Sequence, residues 1–264
     1  MTSSVENVCV VTGGARGIGR GIAELMLARG HVVVISDIDE AAAAATAQEI
    51  GAVAGLAHDV RDPDAHHAVA DEAARHGRLT SWFNNAGVGD DGALTSLSDE
   101  QVRRLVEVNL LGTLWGTRAA ITGFGPAGGD VVNIASIAGL GPVPGYSVYA
   151  ATKAAVVSLT ASVNAETPRG VRVHALCPDG ADTAMLAAQD PNGLGSQLTW
   201  SGGPILSVAE VAEAAVGLVG SRRVVRALPG WRGGVMRSSA LSPGVVLRAS
   251  GIFAAQGRRA MKRR

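Results

Sequence analysis

The chain has little cysteine, few aromatic residues and, past its midpoint, little acid. Cys9 and Cys177 are the two cysteines, set far apart in apolar segments. They offer no disulfide framework and no metal-ligand spacing, and both read as buried packing residues. No metal site is expected. Aromatic residues make up 3% of the chain. The basic run near the end therefore lacks the aromatic interleaving of a nucleic-acid surface, and no nucleic-acid partner is expected. No apolar run of about 18 residues occurs, so no membrane-spanning helix is expected. The opening Met-Thr-Ser-Ser-Val-Glu-Asn has neither a charged stretch nor an apolar one, so it does not read as a secretory signal. A reducing cytoplasm is the expected compartment. No internal repeat or heptad pattern appears.

What is present is apolar and glycine-rich. Hydrophobic residues are 47% and charged residues 17%, enough to bury a large core. The formal net charge of zero conceals an asymmetry. The first 221 residues hold 12 basic and 23 acidic residues, a balance of −11, whereas Arg222 to Arg264 holds eleven basic residues and no acidic one.

Short apolar, β-branched runs recur at Val8–Thr12, His31–Ser36, Ala52–Ala57, Leu79–Phe83, Asp130–Ala135, Val171–Leu176 and Val224–Leu228. Between them lie helical patterns at Ile18–Arg29, Glu40–Ile50, Pro63–His76, Tyr146–Glu166 and Val208–Val219. Another begins after Ser98, where Gln101 completes a helix-start signature. Alternation of this kind predicts an α/β protein, a doubly wound Rossmann-type parallel sheet with helices on both faces, folded as a single domain. Ligands then bind at the carboxyl ends of the strands.

Thr12-Gly13-Gly14-Ala15-Arg16-Gly17-Ile18-Gly19 joins the first strand to the first helix. Backbone N–H groups of such a turn approach a pyrophosphate, and the helix dipole favours its charge. Gly13, Arg16, Gly17, Ile18 and Gly19 are the expected contacts. Asp37, about twenty residues on, suits the adenosine ribose hydroxyls and repels a 2′-phosphate, which favours NAD. Arg16 competes, because a guanidinium could pair with that phosphate, so NADP is the weaker expectation. Asp37 could instead cap the next helix together with Asp39.

Tyr149 and Lys153 stand at i and i+4 on one helix face. A cation there favours the phenolate and lowers a pKa that is ordinarily about 10. On an arbitrary helix the same pair is a solvated contact. Ser136 ends a strand thirteen residues before the tyrosine, where its hydroxyl could orient a substrate oxygen. With these residues the chain resembles the short-chain dehydrogenase/reductase family over roughly residues 6 to 185. The glycine turn fits its T-G-x-x-x-G-x-G, Asn84-Asn85-Ala86-Gly87 its N-N-A-G, and Asn109, Ser136, Tyr149 and Lys153 its catalytic tetrad.

The resemblance implies roles. Tyr149 passes a proton to or from the substrate oxygen, Ser136 hydrogen-bonds that oxygen, Lys153 holds the nicotinamide ribose, and Asn109 holds a water. Asn109 also shares a helix face with Val102, Leu105 and Val106 and so points inward. His58-Asp59-Val60 resembles the segment that contacts adenine, with Asp59 and Val60 as contacts. Asn85, Ala86 and Gly87 also face the cofactor, though the Asn84–Gly87 run could serve only to join neighbouring strands. Pro178, Gly180 and Thr183 match the nicotinamide segment. Asp179 stands where that family has glycine, which puts the close backbone approach to nicotinamide in question.

The segment 184–206, with Met185, Leu186, Leu194, Leu198 and Trp200, would lie over the substrate. Together with Leu140, Pro142 and Val143 it suggests a lipophilic alcohol or ketone. The expected reaction is hydride transfer between NAD and such a substrate, by a homodimer or homotetramer as in the family. A non-catalytic dinucleotide sensor or scaffold is the alternative. The expected organisation is a catalytic domain over 1–229 and a basic C-terminal extension over 230–264. In that extension Leu247, Ile252 and Phe253 beside basic residues could dock on an anionic membrane, pack against the protein or a neighbouring subunit, or form a solvated tail.

Overall fold

A computed structural model of the chain describes residues 5–262, apart from the side chains at 245–247 and 249. The strands are β1 (Asn7–Thr12), β2 (Val32–Asp37), β3 (Ala54–Ala57), β4 (Arg78–Asn84), β5 (Gly129–Ile134), β6 (Val171–Pro178) and β7 (Val225–Leu228). They form one sheet of order β3-β2-β1-β4-β5-β6-β7, and every pairing is parallel. The helices are α1 (Gly17–Ala28), α2 (Glu40–Ile50), α3 (Pro63–His76), α4 (Asp99–Val106), α5 (Gly112–Gly123), α6 (Ser147–Glu166), α7 (Ala184–Ala187), α8 (Leu194–Trp200), α9 (Val208–Val216), α10 (Gly230–Leu241) and α11 (Pro243–Met261).

The central strands read as unbroken apolar runs because both sheet faces are covered. Along β1, Cys9 and Val11 pack into one core with Ile22 and Met26 of α1 and Val211 of α9. Val8 and Val10 point the other way, into a core with Trp82, Phe124, Val131 and Val173. Both cysteines are free and buried. Helix starts follow local chemistry. Asp39 caps α2 by accepting from Ala42 N, Asp62 caps α3 ahead of Pro63, and Ser98 and Gln101 form a reciprocal capping box on α4.

The structure departs from the sequence reading in three places. β3 starts at Ala54 and not Ala52, because Ala52 N still bonds Ala47 O in the closing turn of α2. The helix that begins after Ser98 is interrupted by a π-helical turn at Glu107–Leu111, which shifts the phase of α5 relative to α4. The C-terminal extension is two helices, α10 and α11, and α11 packs on α8. A Cβ on Gly257 would stand 1.8 Å from Gln197 O, and Arg258 Nη1 donates to Gln197 Oε1 at 2.7 Å. Of the arrangements expected for this extension, packing against the protein is seen for α11, and a solvated tail is not.

The order in which successive strands join the sheet reverses between β1 and β4, while all stay parallel, so a crevice opens at the carboxyl ends of these strands. Beneath it lies a buried polar network. Trp82 Nε1 donates to Asn84 Oδ1, Asn84 Nδ2 to Asn133 Oδ1, and Asn133 Nδ2 to Thr160 Oγ1, at 2.8, 2.8 and 3.0 Å. Each amide is satisfied, so the network fixes β4, β5 and α6 in register without an orphaned polar group.

Candidate active site

A cleft of about 830 Å³ occupies this crevice. Its floor is the turn after β1. Gly13 has φ +63°, and a Cβ there would press on the Ala86 backbone at 2.9 Å. A Cβ on Gly19 would meet Gly13 O at 2.1 Å, so the helix start fits against the turn only with glycine. Arg16 at the N-cap of α1 makes no side-chain capping bond. The uncapped N-terminus therefore faces the cleft, a favourable place for an anionic phosphate.

Asp37 ends β2 at the cleft edge, where Oδ2 accepts from Ala15 N and Oδ1 from Asp39 N, both at 3.3 Å. Asp39 alone caps α2, which leaves Asp37 to the cleft. Asp59 and Val60 line the same end, with the Asp59 carboxylate held by Arg61 at 2.6 Å. His58 lines that end as well, its Nδ1 sharing a hydrogen bond of 2.9 Å with Ser36 Oγ. Burial, with His66 adding to it, pushes the His58 imidazole down to about 3, so it is neutral at physiological pH.

The Asn84–Gly87 run divides its labour. Asn84 belongs to the buried network, and Asn85 Nδ2 ties the turn together by donating to Thr12 O and Gly13 O. Ala86 N and Asn85 N both donate to Thr12 Oγ1, and Asn85, Ala86 and Gly87 line the cleft.

Ser136, Tyr149 and Lys153 converge on the opposite wall. Lys153 Nζ donates to Ile134 O at 2.9 Å and stands 5.7 Å from the centroid of the Tyr149 ring. Burial pushes the Lys153 ammonium down to about 8. Burial also raises the Tyr149 phenol above its ordinary value, while the neighbouring Ser136 hydroxyl works the other way. The lowered phenol expected from the sequence is thus not what these side chains produce by themselves, because desolvation of the phenolate dominates.

Asn109 sits in the π-helical turn, fully buried and outside the cleft lining. Its Oδ1 accepts from Val88 N and its Nδ2 donates to Val88 O, both at 2.9 Å. The side chain thereby clamps the strand-end segment that carries Gly87. Gly19 also lies beneath the lining, packed against Asn85. The other expected contacts, Gly13, Arg16, Gly17, Ile18, Pro178, Gly180 and Thr183, all line the cleft. Thr183 caps α7, and Gly180 is pressed against Thr199, where a Cβ would come within 2.4 Å.

Sequence reasoning missed the far wall. Arg232, Met236 and Ser239 of α10, with Phe253 of α11, line the cleft. Arg232 Nε lies 2.8 Å from Asp179 Oδ2, although its N–H is not aligned for a hydrogen bond, and Nη2 donates to Leu198 O at 3.2 Å. Asp179, the residue that replaces glycine, therefore has a cationic partner from the C-terminal extension. The spacing 232, 236, 239 was the available signal, and Gly230, Gly233 and Gly234 obscured it.

A doubly wound parallel sheet with a glycine turn at its switch point defines the class, a Rossmann-type α/β protein. The short chain dehydrogenase family matches residues 7–193, and the chain belongs to this family of oxidoreductases. It is 33% identical over 204 residues to 3-beta-hydroxysteroid dehydrogenase of Comamonas testosteroni, covering 75% of this chain and 80% of that protein. It is 38% identical over 194 residues to "Probable oxidoreductase EphD" of Mycobacterium tuberculosis (strain ATCC 25618 / H37Rv), covering 69% of this chain and 32% of that one. The match thus spans about a third of that relative's length. Among solved structures, a short-chain dehydrogenase/reductase from Burkholderia phymatum in complex with NAD aligns with a TM-score of 0.79 at 28% identity, over 90% of this chain and 94% of that one.

Proposed function

We propose that the chain transfers hydride between NAD(H) and a lipophilic secondary alcohol or ketone, with Tyr149 as general acid/base. The convergence of Ser136, Tyr149 and Lys153 on a cleft floored by the glycine turn carries this reading. The residues fit a nicotinamide dinucleotide: an uncapped helix N-terminus for pyrophosphate, Asp37 for the ribose hydroxyls, and a cradle that a Cβ at Gly13 or Gly19 would fill. When bound there, the cofactor supplies or accepts the hydride.

Tyr149 gives its phenolic proton to the substrate oxygen in reduction and removes it in oxidation. Ser136 orients that oxygen. Lys153, held by Ile134 O, would hold the nicotinamide ribose and supply positive charge next to the phenol. Asn109 is a positioning residue that fixes Val88 and the strand end. The catalytic unit spans 1–229, the segment 184–206 covers the substrate, and 230–264 closes the far wall. A homodimer or homotetramer is the assembly we propose, built through the long helices.

The apolar lining of Pro142, Val143, Leu198, Met236 and Phe253 favours an apolar substrate. An alcohol and ketone panel run with both NAD and NADP tests this. Turnover of lipid-like alcohols is expected, and turnover confined to sugar-like ones would overturn the substrate class.

Asp37 selects NAD in this reading. Asp37→Ser is expected to weaken kcat/KM for NAD about tenfold, the loss of a charge-assisted bidentate contact, and to raise it for NADP. An unchanged NAD/NADP ratio would remove Asp37 from cofactor selection.

A further inference from the structure

Eleven large apolar side chains are exposed among the described residues, and five of them, Trp231, Val235, Leu241, Ile252 and Phe253, lie on α10 and α11. This concentration is more than the scattered exposure of an ordinary surface. On α10, Trp231 (62% exposed) and Val235 are one helical turn apart, roughly a quarter turn round the helix from the side that carries Arg232, Met236 and Ser239. On α11, Arg248, Ile252 (74% exposed), Arg259 and Lys262 are all exposed, and their spacing puts them on one face. Ala254 and Gly257 are buried on the opposite face against the body of the protein.

The electrostatics are one-sided. Arg237 is also exposed on α10, and the segment from Arg222 to the end of the sequence holds eleven basic residues, of which Arg232 is paired with Asp179, and no acidic one. A tryptophan beside exposed aliphatic residues and a cationic stripe is the chemistry that seats a helix at the headgroup level of an anionic bilayer. Val235 and Phe253 are exposed and also line the cleft, so this face adjoins the cleft mouth. No helix among the described residues is long and apolar enough to cross a membrane, so contact would be peripheral.

We infer that α10 and α11 dock the protein on an anionic lipid surface with the mouth of the cleft turned toward the bilayer. Docking stands on the exposed face and its charge. Delivery of substrate from the bilayer rests in addition on the lipophilic reading of the pocket.

Flotation with phosphatidylglycerol-rich and with pure phosphatidylcholine vesicles tests docking without any turnover. The full chain is expected to float with the anionic vesicles, weakly with the neutral ones, and less as salt is added. Arg248→Gln with Arg259→Gln is expected to lower partitioning about twenty-five-fold, near fivefold for each charge. Trp231→Ser with Ile252→Ser is expected to lower it at least tenfold. These four residues lie outside the cleft lining, so turnover of a water-soluble test alcohol is expected to stay unchanged in both double variants. Absence of flotation, or equal flotation on both vesicle types, would overturn the proposal. A drop in particle mass by light scattering in the Trp231/Ile252 variant, with flotation retained, would assign the face to a second copy of this chain. Flotation by a protein that turns over no alcohol would leave docking standing and fail the proposed reaction instead.

Discussion

Tyr149→Phe is expected to reduce turnover about a thousandfold while cofactor affinity changes by roughly twofold or less. The substitution removes one oxygen from a ring already packed in place, so the cleft keeps its shape and only the proton carrier is lost. Burial raises the phenol, which sets the direction of the pH dependence. In carbonyl reduction the protonated phenol is the active form, so kcat/KM holds through neutral pH and falls as the phenol ionises. In alcohol oxidation the phenolate is required, so kcat/KM climbs about tenfold per pH unit below that ionisation. Both limbs are expected to vanish in the variant. Tyr146 supplies the internal control, since its ring centroid lies 5.8 Å from that of Tyr149 and its hydroxyl donates to Gln189. Tyr146→Phe loosens the substrate segment and is expected to raise KM more than it lowers kcat. Turnover within tenfold of the parent in Tyr149→Phe would end the acid/base assignment. A parent chain that binds NADH yet turns over no substrate in the panel would favour the dinucleotide sensor.

The parts of this fold that were legible from sequence are those where one local rule decides the outcome. Central strands such as Val8–Thr12 are apolar throughout because parallel strands bury both faces, and Ser98 with Gln101 marks a helix start by its own hydrogen bonds. The glycine turn was readable because backbone crowding at Gly13 and Gly19 admits no other residue. What stayed hidden depends on partners distant in sequence or on low local propensity. α10 opens Gly-Trp-Arg-Gly-Gly, a poor helix by propensity, and is held by packing on the cleft and on β7. The π-helical turn at Asn109 has no compositional mark, yet it presents both amide atoms of that residue to Val88. Its place on a helix face with Val102, Leu105 and Val106 indicated that Asn109 is buried, and only the fold shows what it holds. Asp179 read as a defect in a glycine motif because Arg232, which faces it, lies in a segment with no resemblance to that motif.

Arg232→Met is expected to destabilise the chain by about 3 kcal/mol, because it strips the cation from a buried carboxylate. On thermal unfolding that corresponds to a fall of roughly 8 °C. Both partners are mostly buried, at 14% and 11% side-chain exposure, so solvent does little to compensate. The doubly substituted Asp179→Leu/Arg232→Met chain is expected to recover most of the loss, since a buried pair replaced as a unit leaves no orphaned charge. The sign of the pH dependence follows from Asp179. Burial holds its carboxyl above the ordinary carboxylate range, and Arg232 opposes that rise. A raised carboxyl favours the fold in its protonated form and loses that contribution as pH climbs through the raised value. Without Arg232 the rise is larger, so the gap between parent and variant is widest at neutral pH. It closes as pH falls toward the unfolded carboxylate value of about 3.9. The same guanidinium donates to Leu198 O, so its loss also frees α8 above the cleft. KM for the organic substrate is therefore expected to rise several-fold more than KM for NAD, and the double substitution restores stability without restoring that KM. Equal stability of Arg232→Met and parent across this pH range would show that Asp179 is not held by Arg232. A KM restored by the double substitution would show that the ion pair, and not the tie to Leu198, positions the substrate segment.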